Sequence, residues 1–168
     1  MKTLKNRIKI INYFINSISI EDVLKYILNS KKKKKSKYIC ISNVHSCIES
    51  FKDNKFKKAH NSADLALADG RPIFWALRLL GSKNAKHLPG YYVTEKLCEL
   101  AHQKKLSVGF YGSTDDNLNK IKINLKKKYK KLKIKYIFSP PFRNLKSTES
   151  KKIIQQINKS KVDILFVC

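Results

Sequence analysis

The chain has 168 residues, of which 42% are hydrophobic, which is enough for one domain with a buried core. No stretch reaches the roughly 18 consecutive apolar residues of a membrane-spanning helix, and the N-terminus lacks a signal peptide's apolar run. We therefore expect a cytoplasmic protein, either soluble or peripheral to a membrane. The four cysteines form no CxxC pair, so the sequence favours reduced, mostly buried thiols over a zinc site or disulfides.

The charge is strongly basic: 37 Lys and Arg against 12 Asp and Glu give a formal net charge of +25. Such a surface attracts polyanions, whether nucleic acid, anionic lipid or phosphorylated substrates. Nearly all of the excess is lysine, spread over predicted helices and loops, and the arginine clusters that read bases are missing. We expect an anionic inner membrane surface as a partner and no specific nucleic acid. Lysine enrichment of solvated faces, without a function, is the alternative.

The first third of the chain alternates between short apolar runs and helical patterns. The run from Ile8 to Ile15 predicts an edge strand or a hairpin, and apolar spacing predicts a helix from about 20 to 30. Tyr38 to Ser42 predicts a buried strand. Residues 46 to 61 have a helical pattern in two short pieces, with a break near Asp53-Asn54.

The stretch from Ser62 to Gly81 (SADLALADGRPIFWALRLLG) carries the strongest local pattern. An apolar strand, Leu65 to Ala68, runs into Asp69-Gly70. Pro72 then opens an amphipathic helix, since proline suits the first turn, where its missing N–H costs nothing. The inner face of this predicted helix consists of Ile73, Phe74, Leu77 and Leu80. A carboxylate is thus expected at the carboxyl end of a buried strand.

After a loop that ends at Gly90, strands and helices of about 10 to 15 residues alternate to the end of the chain. The predicted elements are a helix 93–104, a strand 106–111, a helix 115–130, a strand 132–138, a helix 148–160 and a strand 162–167. Inner faces are assigned to Leu97, Cys98 and Ala101, and to Leu118, Ile121 and Leu125. This alternation predicts an α/β fold, a Rossmann-like, mostly parallel sheet with helices on both faces, in a single domain over 1–168.

Candidate functional residues follow four of the predicted strands. They are Asn43 with His45, Asp69, Gly112 to Thr114, and Pro140 to Arg143. In a parallel sheet these positions share the edge where ligands bind. The fingerprints GxGxxG and GxxxxGK[ST] are absent, which argues against a classical dinucleotide fold and a P-loop ATPase.

Each candidate has a structural alternative. Asp69 could accept a proton from a sugar hydroxyl, or it could cap the strand-to-helix turn. Gly112-Ser113-Thr114 offers free backbone N–H groups to a phosphate, or is an ordinary capped turn. His45 is a base or a core histidine. His87 contacts a phosphate or is an exposed loop histidine.

Six blocks in this order resemble the WecG/TagA/CpsF family of bacterial glycosyltransferases. They are SNVHS, ADGRPIFWALRLLG, PGYYVTEKLCELA, GFYGST, SPPFR and INKSKVDILFV, and they extend from about residue 8 to the end. The resemblance implies an inverting enzyme that needs no metal or other cofactor. It would move an N-acetylmannosamine-type sugar or related hexose from a UDP-sugar to an undecaprenyl-diphosphate-linked acceptor. It also implies a place in cell-surface polysaccharide or teichoic acid synthesis, in the cytoplasm or on the inner face of the plasma membrane.

The resemblance also implies roles for individual residues. Asp69 matches the family's proposed catalytic base, and Asn43 matches the asparagine of a T-x-N segment near the donor. The remaining substrate-binding assignments are His45, His87, Gly90, Gly112, Ser113, Pro141 and Phe142. No metal ligand is assigned, and a homo-oligomer is left open.

Three departures from the family pattern stand out. Ile41 replaces the threonine two residues before Asn43. His87 and Tyr92 fall on the Arg and Asp of an R-V-x-G-x-D block. The family's later G-x-G-x-P-K-Q-E segment and basic appendage are absent, so the sequence is interpreted as a fragment, a natural short form or a decayed copy. The alternative function is a non-catalytic basic α/β module that binds an anionic polymer or a partner subunit.

Overall fold

A computed structural model describes residues 7–32 and 36–168, and the structural statements below concern these residues. They form β1 (Arg7–Ile10), β2 (Tyr13–Asn16), α1 (Ile20–Lys32), β3 (Ile39–Ser42), α2 (Val44–Lys52), α3 (Asn54–Asn61), β4 (Leu65–Ala68), α4 (Arg71–Leu79), α5 (Gly90–Gln103), β5 (Ser107–Tyr111), α6 (Asp115–Lys128), β6 (Lys133–Phe138), α7 (Ser147–Ser160) and β7 (Ile164–Val167). The predicted α/β class with parallel sheets and surrounding helices is confirmed. The chain divides into two compact units, residues 1–93 and 94–168.

In the first unit, an antiparallel hairpin and a parallel strand pair provide the β-structure. β1 pairs with β2, which confirms the hairpin among the two alternatives for this run. β3 pairs in parallel with β4, from Ile39 opposite Leu65 to Ser42 opposite Ala68. The Asn16 side chain links the two, because its Oδ1 accepts a hydrogen bond from Ala66 N at 2.8 Å. Because Ser42 lies opposite Ala68, the carboxyl ends of β3 and β4 are in register.

The core of the first unit is built around β4. All four of its residues are buried, with 0 to 1% of their surface exposed. Ile73 and Leu77 of α4 are buried in the same cluster as Ala66 and Ala68. Burying one leucine contributes about 1.5–3 kcal/mol, so the strand that leads into Asp69 is firmly held.

Two expectations about burial in this unit are wrong. β3 is only partly buried, because within this unit it has a hydrogen-bonded neighbour on one side alone, and Ile41 is 39% exposed. Leu80 is 56% exposed instead of lying on the inner face of α4, because the helix ends at Leu79. The predicted break between two short helices near Asp53 is confirmed. The Asp53 side chain caps α3 by accepting hydrogen bonds from Lys55 N and Phe56 N.

The second unit contains a three-stranded parallel sheet in the order β6-β5-β7. Central β5 is buried over its first four residues, while β7 is half-buried and ends at an exposed Val167. Phe110 stacks on Phe166 across β5 and β7, with ring centroids 5.0 Å apart. On α6, Leu118 is buried, whereas Ile121 and Leu125 are half-buried. The helices α6 and α7 both pack against β6.

The cysteines are free, as expected, but only half of them are buried. Cys47 and Cys98 are buried, Cys40 is half-buried and Cys168 is exposed. Burial raises the pKa of the Cys98 thiol to about 12, so this side chain is a neutral packing group at physiological pH.

Candidate active site

Asn43 and Asp69 lie side by side where β3 and β4 end. The Asp69 N–H donates to the Ser42 carbonyl at 3.0 Å, which continues the parallel pairing by one residue. A Cβ placed on Gly70 would lie 3.6 Å from the Asn43 Cβ. The register of the two strands thus brings together two of the predicted site residues, as the sequence led us to expect.

The carboxylate of Asp69 is half-buried and held at one oxygen. Its Oδ1 accepts a hydrogen bond from Gly90 N at 2.8 Å, and the described residues donate no other hydrogen bond to this carboxylate. Gly90 is the first residue of α5, where backbone N–H groups have no partner within the helix and attract negative charge. The second oxygen, Oδ2, is therefore left to accept from a bound molecule.

The alternative role for Asp69, as a cap of the strand-to-helix turn, is wrong. The N-cap of α4 is Gly70, which makes no side-chain cap hydrogen bond, and Pro72 lies in the first turn. The Asp69 side chain instead accepts a hydrogen bond from Gly90, a residue 21 positions later in the chain.

His87 contacts Asp69 through the main chain. Its Nε2 forms a hydrogen bond with the Asp69 carbonyl oxygen, and its ring lies 6.3 Å from the Phe74 ring, centroid to centroid. His87 is half-buried, so the expectation of an exposed loop histidine is wrong. The contact joins residues 18 positions apart, and no local pattern in the sequence indicates it.

Asn43 is fixed as the N-cap of α2. Its Oδ1 accepts from Ser46 N at 3.0 Å, and Ser46 Oγ accepts from Asn43 N at 3.0 Å, which forms a capping box. The Tyr13 hydroxyl donates to the Asn43 carbonyl at 3.0 Å. Burial raises the pKa of Tyr13 to about 12, so it stays protonated as a donor. Because Oδ1 serves the helix, the Nδ2 group of Asn43 is the one that can serve a ligand.

Behind Asn43 lies a buried polar pair that the sequence analysis missed. Ser42 Oγ and His60 Nε2 are 2.7 Å apart, and His60 is only 4% exposed. The His60 ring also packs on Tyr13, with centroids 4.3 Å apart. Burial lowers the pKa of His60, which favours the neutral ring. In that form His60 is hydrogen-bonded to Ser42 at the end of β3.

Ile41 places an apolar group beside the Asp69 carboxylate. The Ile41 Cγ2 and the Asp69 Oδ1 lie 3.4 Å and 3.9 Å from the position that a Cβ on Gly90 would occupy. The side chain is partly exposed there, at the position where this sequence departs from the T-x-N segment.

His45 is exposed on the first turn of α2, so the expectation of a core histidine is wrong. Its assignment to substrate binding stays a prediction.

In the second unit, backbone groups of the turn after β5 are hydrogen-bonded to the end of β6 and the residue that follows it. Gly112 N donates to the Phe138 carbonyl at 3.0 Å, and Ser139 Oγ donates to the Ser113 carbonyl at 2.7 Å. The expectation that Gly112 offers a free N–H is therefore wrong. Gly112 has φ 110° and Ser113 has φ 60°, so two successive residues adopt left-handed backbone. A Cβ on Gly112 would collide with the Cys168 carbonyl oxygen, which makes glycine a requirement of this turn.

The helix that follows this turn carries acidic residues at its start. Thr114 caps α6, and Asp115 and Asp116 occupy the first turn. These carboxylates stabilise the helix end but repel a phosphate there. The SPPF segment reaches the turn through the Ser139 hydrogen bond, while Pro141 is exposed and Phe142 is fully exposed.

The model of the WecG/TagA/CpsF glycosyl transferase family matches residues 8–168 of the chain. The chain belongs to the WecG/TagA/CpsF family. No curated protein matches it. Family membership makes the chain a glycosyltransferase in general terms, and the matched range covers the candidate residues of both units.

Two findings complete the description of this WecG/TagA/CpsF protein. Within 7–32 and 36–168, no group of three or more His, Cys, Asp or Glu side chains is arranged to hold a metal ion. None of the helices in these ranges is both long and apolar enough to cross a membrane.

Proposed function

We propose that this chain is an inverting glycosyltransferase that takes its sugar from a UDP-sugar. The acceptor is a sugar on undecaprenyl diphosphate, and the transferred sugar is N-acetylmannosamine or a related hexose, for cell-surface polysaccharide or teichoic acid synthesis. Family membership supports the reaction class. The observation that carries the proposal is the Asp69 carboxylate, whose Oδ1 is held by Gly90 N while its Oδ2 is left for a substrate hydroxyl.

In the proposed reaction, Asp69 Oδ2 accepts the proton of the acceptor hydroxyl as that oxygen attacks the anomeric carbon of the donor sugar. Attack comes from the face opposite UDP and therefore inverts the anomeric centre. The bond between the anomeric carbon and the β-phosphate oxygen breaks, and its electron pair leaves with UDP. Asp69 then returns its proton to solvent. A general base positioned in this way contributes about 10²- to 10⁴-fold to a rate.

The other residues bind and orient the two substrates. Asn43 Nδ2 donates to an oxygen of the donor sugar, because the amide oxygen is engaged in the α2 cap. Ile41 offers its methyl groups to an apolar part of the same sugar, such as an acetamido methyl. The assignment of Ser113, Pro141 and Phe142 is to the nucleoside part of UDP, because the exposed Phe142 ring is suited to packing on uracil, and Gly112 contributes the shape of the turn. We expect the reaction to need no metal or other cofactor.

The charge of +25 supports a location at the inner face of the plasma membrane, where anionic lipids and the lipid-linked acceptor lie. The same charge favours the alternative of a non-catalytic module that binds an anionic polymer. Phosphate binding by a lysine-rich surface weakens steeply with salt, whereas a formed UDP site also recognises the uracil ring.

The test is calorimetry of the chain with UDP at low and moderate salt, with uridine and inorganic polyphosphate as controls. Saturable binding at moderate salt that requires both uracil and diphosphate is expected. Transfer from radiolabelled UDP-N-acetylmannosamine to a lipid-diphosphate acceptor, with and without EDTA, then tests the reaction. Binding shared with polyphosphate and abolished by salt, together with no transfer, would support the polyanion-binding module instead.

A further inference from the structure

We infer that His87 is a positioning residue for Asp69 and not a ligand of the donor diphosphate. The inference deepens the proposed function and rests on it for the catalytic part of its test. It is carried by the contact of His87 Nε2 with the Asp69 carbonyl and by the hydrogen bonds that flank it.

The acceptor in this contact fixes the tautomer of the ring. A carbonyl oxygen only accepts hydrogen bonds, so Nε2 must carry a proton whether the imidazole is neutral or charged. The donor that a phosphate would need at Nε2 is thus already engaged with the main chain of Asp69.

His87 belongs to a short segment that runs along the end of β4, and we call residues 87–90 the strap. Leu88 N donates to the Ala68 carbonyl at 2.8 Å, and Gly90 N donates to Asp69 Oδ1 at 2.8 Å. His87 adds a third hydrogen bond from the strap, to the carbonyl of Asp69 itself. Leu88 is 3% exposed and anchors the strap in the core.

Together these bonds define where the carboxylate points. The Asp69 N–H is held by Ser42, its carbonyl by His87 and its Oδ1 by Gly90. Loss of the His87 donor would free the Asp69 peptide to rotate while Leu88 and Gly90 keep the strap attached. A misplacement of about 1 Å in a reacting group can lower a rate by about 10²-fold.

The variants His87→Leu and His87→Gln separate positioning from binding. Leucine fills a similar volume without a donor, whereas the Gln amide N–H lies near the position of Nε2. For His87→Leu we expect kcat to fall by about 10- to 100-fold, with the KM for the UDP-sugar and the Kd for UDP unchanged. For His87→Gln we expect most of the kcat to return.

A weaker Kd for UDP or a raised KM in His87→Leu, with kcat retained, would overturn the inference and make His87 a diphosphate ligand. Failure of Gln to restore kcat would also count against it. Thermal denaturation of both variants checks folding, and His87→Gln alone carries the test if His87→Leu does not fold.

A second measurement does not depend on activity. Long-range ¹H–¹⁵N NMR of the histidine rings, assigned by the signal lost in His87→Gln, should show His87 as the Nε2–H tautomer near neutral pH. An Nδ1–H tautomer would overturn the contact itself. Absence of transfer by the wild-type chain, with the Nε2–H tautomer present, would contradict the proposed function and leave the contact established.

Discussion

The strand end at Asp69 and the strand end at Gly112 use their hydrogen bonds in different ways. At Asp69, donors from a segment about 20 residues later hold both the main chain and one carboxylate oxygen. At Gly112, the backbone N–H donates to Phe138 at the end of β6 and the next carbonyl accepts from Ser139, so these bonds tie the turn to the neighbouring strand and involve no side chain of the turn. The first arrangement orients a carboxylate, whereas the second shapes the backbone. A candidate site residue directly after an apolar strand is thus compatible with either outcome, and the partner segments decide which one forms.

The largest expected effect is on the rate of sugar transfer in the variant Asp69→Asn. The Asn oxygen can still accept from Gly90 N, so the fold and UDP binding should be retained, while proton acceptance is lost. We expect a fall in kcat of about 10²- to 10⁴-fold, measured with the lipid-linked acceptor. Asp116→Asn, which removes an exposed carboxylate from the first turn of α6, is the matched control and should keep full kcat. Equal activity in Asp69→Asn and the wild type would refute the base assignment.

A smaller effect, on stability, compares one glycine from each site: Gly112 in the turn after β5, and Gly90, which donates to Asp69. Gly112→Ala places a side chain at φ 110° and against the Cys168 carbonyl oxygen, so we expect a loss of about 1–3 kcal/mol in the free energy of unfolding. Gly90→Ala adds a Cβ at ordinary contact distances, 3.4 Å from Ile41 Cγ2, and should change stability by less than about 0.5 kcal/mol. Urea denaturation compares the two variants. Similar losses in both would show that the Gly112 turn is not the more constrained one.

The smallest effect is a pH dependence that differs between the units. Burial lowers the pKa of His60 in the folded first unit below its ordinary 6.5, so the unfolded chain binds the proton more readily. Stability from this group is complete above pH 6.5 and is lost as the pH falls below it, by at most about 1.4 kcal/mol per pH unit. His60→Gln should remove this dependence. A wild-type stability that stays constant from pH 7 to 5, by hydrogen exchange of the first unit, would contradict it.

The second unit provides the contrast at lower pH. The Arg143 guanidinium beside Glu149, with N–O distances of 2.7 and 2.9 Å, lowers the carboxyl pKa to about 2. A carboxylate with a lowered pKa contributes its stability above the ordinary 4.5 and loses it as the pH falls towards 2. Hydrogen exchange of the second unit should therefore be insensitive to this pair between pH 7 and 5.

Local sequence patterns were sufficient for most of the fold. The all-apolar run at 65–68 predicted β4, and Pro72 with Ile73 and Leu77 predicted α4, because burial and helix periodicity act over a few residues. The partial exposure of β3 was missed, since a strand's pattern does not say how many neighbours it has. The expectation that parallel strands end at the same edge of a sheet correctly placed Asn43 next to Asp69.

The supporting contacts of the candidate site were beyond sequence reasoning. His87 with Asp69, and Ser42 with His60, each join residues 18 positions apart through a side chain. Such contacts depend on the path of a loop or helix in three dimensions, and histidine has no periodic pattern that predicts its partner. The unavailable N–H of Gly112 was missed for the same reason, because its acceptor belongs to β6.

Because only one oxygen of the Asp69 carboxylate accepts a hydrogen bond from the described residues, the other determines which chemical group an inhibitor of this site would need. With Oδ1 already accepting from Gly90 N, the oxygen without a hydrogen bond from the described residues, Oδ2, is the one for a compound to address. A protonated ring nitrogen in a sugar mimic would meet that oxygen as a charge-assisted hydrogen bond, which is stronger than a neutral one. An apolar substituent directed at Ile41 would add apolar contact beside the carboxylate.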